Sequence, residues 1–154
     1  MQEREPSAGP AAGEPFQSRE VRAVSAGGTV RIDLQRDGHH WVLDEPLERG
    51  GGDGGPSPVN AFLGALLGCM IITYQLAGQR RKVPIARIEG HITANPERYV
   101  ESIQLELDIW SPAPAGQVEA LLERVKRGCY VSHLLKPEID YQVTLRVHPA
   151  EPAA

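Results

Sequence analysis

LDEPLERGGGDGGPSPVNAFLGALLGCM, residues 43–70, decides the fold, and it reads in two halves. Residues 44–58 are so dense in Gly and Pro that no regular element survives there, which makes them a long loop. The loop ends at Ser57-Pro58, a helix N-cap followed by proline at the first helical position. From Pro58 to about Lys82 a single long helix is expected, and residues 59–78 contain no charged side chain. A segment of that kind either crosses a membrane or lies buried in a core on all sides. Asn60, Thr73, Tyr74, Gln75 and three glycines dilute its apolarity, and the patterned chain around it favours the core helix. Arg80-Arg81-Lys82 then closes the helix, where cations suit the negative end of its dipole.

Outward from this helix the chain alternates in short strands. Upstream, residues 21–24 form a weak strand. Val30, Ile32 and Leu34 alternate with polar neighbours as a second, Arg36-Asp37-Gly38 turns, and residues 39–43 return as a third. Downstream, Ile88, Gly90, Ile92 and Ala94 share one strand face, Asn95-Pro96-Glu97-Arg98 turns, and Ile103, Leu105, Leu107 and Ile109 share the next. Val118, Leu121, Leu122 and Val125 fall at helical spacing over residues 117–127, ended by Gly128. Residues 129–135 are expected to form a second short helix, stopped by Lys136-Pro137. Ile139, Tyr141, Val143, Leu145 and Val147 form the last strand. The order βββ–α–ββ–αα–β argues for an α+β fold, with one mostly antiparallel sheet of about six strands packed on the long central helix. Such a sheet covers one side of an all-apolar helix, so a second copy of the chain is expected over the rest.

The 154 residues fit a domain over 19–148, flanked by a disordered arm at 1–18 and a tail at 149–154. A net charge of -4 argues against a domain that grips nucleic acid through its phosphates. Residues 1–18 lack the apolar stretch of a signal peptide, so a cytoplasmic location away from the membrane is expected. Two cysteines there do not read as a permanent structural bridge.

Several constellations could carry chemistry. Gly50, Gly52 and Gly55 spell GxGxxG, but Pro56 and Pro58 separate them from the helix and no acidic residue stands about 20 positions on, so a dinucleotide site is disfavoured. No Gly-Lys-Ser/Thr follows for a phosphate loop. Cys69 and Cys129 lie sixty positions apart, which excludes CxxC redox and zinc spacings. The residues alone leave three uses open: unrelated buried thiols, a metal site with His133 and His39 or His40, or a redox pair within disulfide reach. Cys129, at the start of its expected helix, is the better placed for help from a helix dipole. His39, His40 and His148 read as surface residues, Ser132-His133 cannot form a dyad as sequence neighbours, and Asp44 and Glu45 are the only carboxylates of interest.

Residues 43–70 resemble the segment of OsmC/Ohr proteins in which a strand end leads through Gly-Gly-Asp-x-Gly-Pro-x-Pro into the central helix, with a reactive cysteine about three turns along. KRGCYVSHLL, residues 126–135, is similar to that family's second-cysteine motif. The similarity runs over about 20–147. It implies an intertwined homodimer that brings both thiols together at the subunit interface. It also implies an activity, the thiol-dependent reduction of organic hydroperoxides. Cys69 would attack the peroxide and become a sulfenic acid, Cys129 would resolve it as a disulfide, and a lipoyl-type dithiol would restore both. No metal or other cofactor is implied. Arg31 is the candidate partner for the thiolate, and Val59, Asn60, Phe62 and Met70 are candidates for the substrate wall. The chain departs from the family at three points. Val59 and Asn60 stand where a glutamate usually follows the helix-opening proline, Gly27-Gly28-Thr29 stands where the hydroperoxide-resistance branch has Gly-Gly-Arg, with Arg31 two residues on, and Tyr130 replaces the proline after the second cysteine. Those departures keep a second expectation in view: an OsmC-type fold that binds a small apolar ligand at the dimer interface without peroxidase activity.

Overall fold

The computed structural model describes residues 19–96 and 100–150, and the chain divides into two compact units, Met1–Gly55 and Pro56–Ala154. The expected arm at 1–18, most of the turn after Pro96 and residues 151–154 lie outside the described residues.

The first unit holds an antiparallel meander of β1 (Arg22–Ser25), β2 (Ile32–Arg36) and β3 (His39–Leu43). Arg36 pairs with His39, so β2 and β3 are joined by two residues. Asp37 and Gly38 both have positive φ, 48° and 78°, which is the turn whose twist matches a tight hairpin. A single 3-10 turn, Leu47–Arg49, interrupts the glycine-rich loop that follows.

The second unit is a three-stranded sheet with helices. α1 (Pro58–Arg81) starts as its sequence requires: the Ser57 hydroxyl accepts the Asn60 N–H at 3.4 Å, and Pro58 occupies the first turn. It ends on Lys82 in the left-handed region, with the Val83 N–H donating to the Gly78 carbonyl at 2.9 Å. β4 (Arg87–Pro96) pairs antiparallel with β5 (Val100–Ser111). α2 (Ala115–Glu119) and α3 (Leu122–Gly128) then carry the chain back, so that β6 (Asp140–Pro149) runs parallel to β5, Ser102 opposite Asp140. The fold is α+β as expected, but among the described residues the strands form two three-stranded sheets rather than one of six, and one of the four pairings is parallel. A parallel pair needs a long crossover, which the α2–α3 segment supplies.

Ile103, Leu105, Leu107 and Ile109 of β5 are fully buried, and they meet Leu66, Met70, Tyr74 and Ala77 from one stripe of α1. α1 comes close to β4 because Gly90 has no side chain: a Cβ there would lie 2.6 Å from Leu67 Cδ1. By length and composition α1 could cross a membrane, yet it spends this stripe on the sheet. Elsewhere along it Val59, near its start, and Phe62, Ile72 and Leu76 are exposed.

The single helix expected over residues 117–127 is broken at Ala120-Leu121, and the cause lies 44 positions away. The buried Tyr74 hydroxyl donates to the Val118 carbonyl at 2.5 Å. In an unbroken helix that carbonyl would accept from residue 122. Leu121 instead donates to Val118 at 3.1 Å in a tighter turn, and α3 starts afresh.

Candidate thiol site

Three side chains bring the site together on the second unit. Cys69 sits half-buried on α1, one position before the core residue Met70. One turn later Thr73 donates its hydroxyl to the Cys69 carbonyl at 2.7 Å. A Cβ on Gly128 would lie only 3.1 Å from the Thr73 methyl, so the missing side chain lets the end of α3 rest on α1 at this point. The next residue is Cys129, fully buried, and Cys69 packs against the same cluster, close enough for its thiol to push the Cys129 pKa up. Thiols sixty positions apart are thus neighbours within one chain.

The two sulfurs have different surroundings. Burial pushes the Cys129 thiol up, hydrogen bonds from Ser132 pull the other way, and the neighbouring Cys69 raises it further. Cys129 therefore holds its proton at neutral pH, while Cys69 is the sulfur a reagent can reach. The Ser132 hydroxyl also donates to the Cys129 carbonyl at 2.8 Å, fixing the turn that follows. Cys129 does not open a helix. It follows the last residue of α3 with extended backbone, φ −81° and ψ 99°, and only a 3-10 turn, Ser132–Leu134, comes after. A helix C-terminus presents the negative end of its dipole, which does not favour a thiolate at Cys129.

Tyr141, the first inward residue of β6, belongs to this site and was not among the expected residues. It packs against the cluster that contains Cys129, with Cys69 against the same cluster. Burial, and then the charge of Cys129 and Cys69, push its phenol above the usual tyrosine range. Its hydroxyl oxygen is buried, and among the described residues it has no hydrogen-bond partner. In the sequence it reads only as one apolar strand position among Val143, Leu145 and Val147.

The remaining expected residues separate. Val59, Asn60 and Phe62 are exposed on α1, and Phe62 lies two turns before Cys69 on the same side. Met70 is fully buried in the core, which removes it from the substrate wall: a neighbour of Cys69 in sequence is rotated about 100° around the helix. Arg31 lies in the first unit, where its guanidinium donates to Asp33 at 2.9 and 3.2 Å.

The glycine-rich loop is organised by a carboxylate. Asp44 is buried and accepts the N–H groups of Glu45, Gly52 and Gly54 at 2.9, 3.2 and 3.0 Å. These bonds, Gly54 first, hold Asp44 below the usual carboxylate range. The donors that a dinucleotide phosphate would need are partly spent on this side chain, in keeping with the reading of GxGxxG as a loop. Among the described residues no three His, Cys, Asp or Glu side chains gather as a metal site.

Known structures share this architecture. An OsmC-like protein from Mycoplasma pneumoniae is 20% identical, with a TM-score of 0.74 over 85% of this chain and 97% of that one. An organic hydroperoxide resistance protein OsmC from Legionella pneumophila is 18% identical, with a TM-score of 0.62 over 87% of this chain and 100% of that one. An organic hydroperoxide resistance protein from Elizabethkingia anophelis is 16% identical, with a TM-score of 0.61 over 86% of this chain and 99% of that one. At these identities the likeness speaks for the fold. No curated protein sequence matches the chain. The family model for OsmC-like protein matches residues 50–144, which include both cysteines and more than half of the sequence, and the chain therefore belongs to the OsmC-like family.

Proposed function

We propose that the protein is a thiol peroxidase that reduces organic hydroperoxides. The observation that carries this reading is the packing of a half-buried Cys69 and a buried Cys129 against one cluster, near enough for one thiol to shift the other. The Cys69 thiolate attacks the terminal peroxide oxygen, the O–O bond breaks, and the alcohol leaves with a proton. The sulfenic acid on Cys69 is then attacked by Cys129, the S–S bond forms, and water departs. A dithiol of the lipoyl type reduces the bridge by exchange and is itself oxidised to a disulfide. Cytoplasmic conditions, where thiols are kept reduced, suit such a cycle. Names of the solved relatives from Legionella pneumophila and Elizabethkingia anophelis, both hydroperoxide resistance proteins, support the substrate class.

The active form in this reading is a homodimer. Val59, near its start, and Phe62, Ile72 and Leu76 place exposed apolar positions on α1, and covering them with a second copy removes that surface from water beside Cys69. Such walls suit an alkyl peroxide better than hydrogen peroxide.

The test is consumption of cumene hydroperoxide with dihydrolipoamide as donor. The wild type turns over, Cys69→Ser is inactive, and Cys129→Ser accumulates a sulfenic acid that dimedone traps. Two unmodified thiols after a stoichiometric peroxide pulse would reject the reading. They would leave an OsmC-fold protein whose apolar face binds a small ligand, detectable as thermal stabilisation by apolar compounds.

A further inference from the structure

Tyr141 is the one inward position of β6 where an apolar row is interrupted by a hydroxyl. Its partners in that row are Val143, Leu145 and Val147, and β5 opposite presents Ile103 at the same register. A buried hydroxyl without a partner destabilises a fold relative to the same ring without it. Packing alone would therefore be served better by phenylalanine. The oxygen is buried where the thiols are, close enough to respond to the charge of both sulfurs, yet it is hydrogen-bonded to neither.

From this arrangement we infer that the Tyr141 hydroxyl is a substrate-binding group, donating a hydrogen bond to the oxygen atom that Cys69 takes from the peroxide. The inference rests on the peroxidase reading and adds a residue to it. In the step concerned, the Cys69 thiolate forms an S–O bond to the terminal oxygen and the O–O bond breaks. Sulfur is oxidised by two electrons, the peroxide is reduced, and the peroxide's own proton passes to the departing alkoxide. The products are a sulfenate and an alcohol. Negative charge builds on the transferred oxygen, and a preorganised donor aimed there lowers the barrier without surrendering its proton. Burial and the nearby sulfurs keep the phenol protonated, as a donor of this kind must be.

The experiment compares wild type with Tyr141→Phe in three measurements: oxidation of Cys69 by cumene hydroperoxide in single turnover, alkylation of Cys69 by iodoacetamide, and thermal unfolding of the reduced protein. Oxidation is expected to slow by about tenfold, the factor that one hydrogen bond to a charged oxygen supplies. Alkylation transfers no oxygen and should stay within about twofold, which separates an effect on oxygen from an effect on the thiol. The melting temperature should rise by about 2–4 °C, because an unpaired buried hydroxyl is removed. Oxidation slowed by less than about threefold overturns the inference, as does an equal slowing of alkylation, because either places the hydroxyl's effect elsewhere. A fall in melting temperature also overturns it, since the hydroxyl would then have a partner in the resting fold. A wild-type Cys69 that resists peroxide while iodoacetamide modifies it defeats the peroxidase reading itself, and that failure is visible without the variant.

Discussion

Among the described residues of the second unit, Tyr74 and Tyr141 each carry a buried hydroxyl, and removing it should change stability in opposite directions. Burial is the leading cause of an upward pKa shift in both, so acidity alone would treat them as equivalent. Their bonding differs. Tyr74 is fully buried and donates to the Val118 carbonyl at 2.5 Å, whereas Tyr141 has a buried oxygen with no partner among the described residues. Tyr74→Phe gives up a made hydrogen bond, a net loss of about 1–2 kcal/mol. The lower end applies if Leu122 takes over the freed carbonyl and α2 and α3 merge. Tyr141→Phe removes an unmet desolvation cost and gains about 1 kcal/mol or more. The two midpoints should therefore differ by about 2 kcal/mol or more, which is roughly 4–8 °C in a chain of this size. Urea unfolding of the reduced proteins, followed by circular dichroism, measures both with the disulfide excluded. A shift of the two variants in the same direction would refute the reasoning, because it would show that hydrogen-bond satisfaction does not separate these residues.

Other consequences can be checked directly. Oxidation by peroxide should link Cys69 to Cys129 within one chain, giving a faster monomer band on a non-reducing gel. The loop so closed is sixty positions long, and the oxidised form should be more stable by roughly 4 kcal/mol. Cys129, Tyr74 and Tyr141 hold their protons more tightly folded than unfolded, so the unfolded chain ionises first. Stability is then flat at neutral pH and falls as pH rises above the ordinary cysteine value of 9.0, which melting curves across the alkaline range will show. Gly51→Ala would place a Cβ 1.7 Å from the Glu45 carbonyl oxygen, so the loop around Asp44 should open and become a site of rapid limited proteolysis. Ile72→Glu puts a charge on an exposed apolar position of α1, and light scattering should find a monomer for this variant against the dimer proposed for the wild type.

What the sequence made legible depended on whether the cause was local. The extent of α1 follows from Ser57, Pro58 and twenty uncharged residues, and its ends came out within a residue. The alternation of Ile103, Leu105, Leu107 and Ile109 marked β5 and its buried face. Both cysteines were visible through their place in the motifs around them. Where the cause was distant, local pattern failed. Val118 to Val125 has the period of one helix, and only a tyrosine on another element interrupts it. Cys129 followed a glycine that promised a fresh helix, but the chain there extends to reach Cys69. Met70 and Cys69 are adjacent letters on different sides of α1. Tyr141 sat in an alternating strand, where an unpaired hydroxyl leaves no mark on periodicity. The parallel direction of β6 depends on where α2 and α3 lead, which no strand pattern records.

The contact between Gly128 and the Thr73 methyl has a consequence for when the sulfurs can react with each other. In a chain still searching for its fold, sixty residues of slack keep them apart for most of the time, and a sulfenic acid on Cys69 would meet other thiols first. Once glycine settles against methyl, the same two atoms are held in continual encounter. Under the proposed peroxidase cycle, a spacing smaller than one side chain would thus make intramolecular bond closure a property of the finished molecule, and oxidation would report that folding is complete.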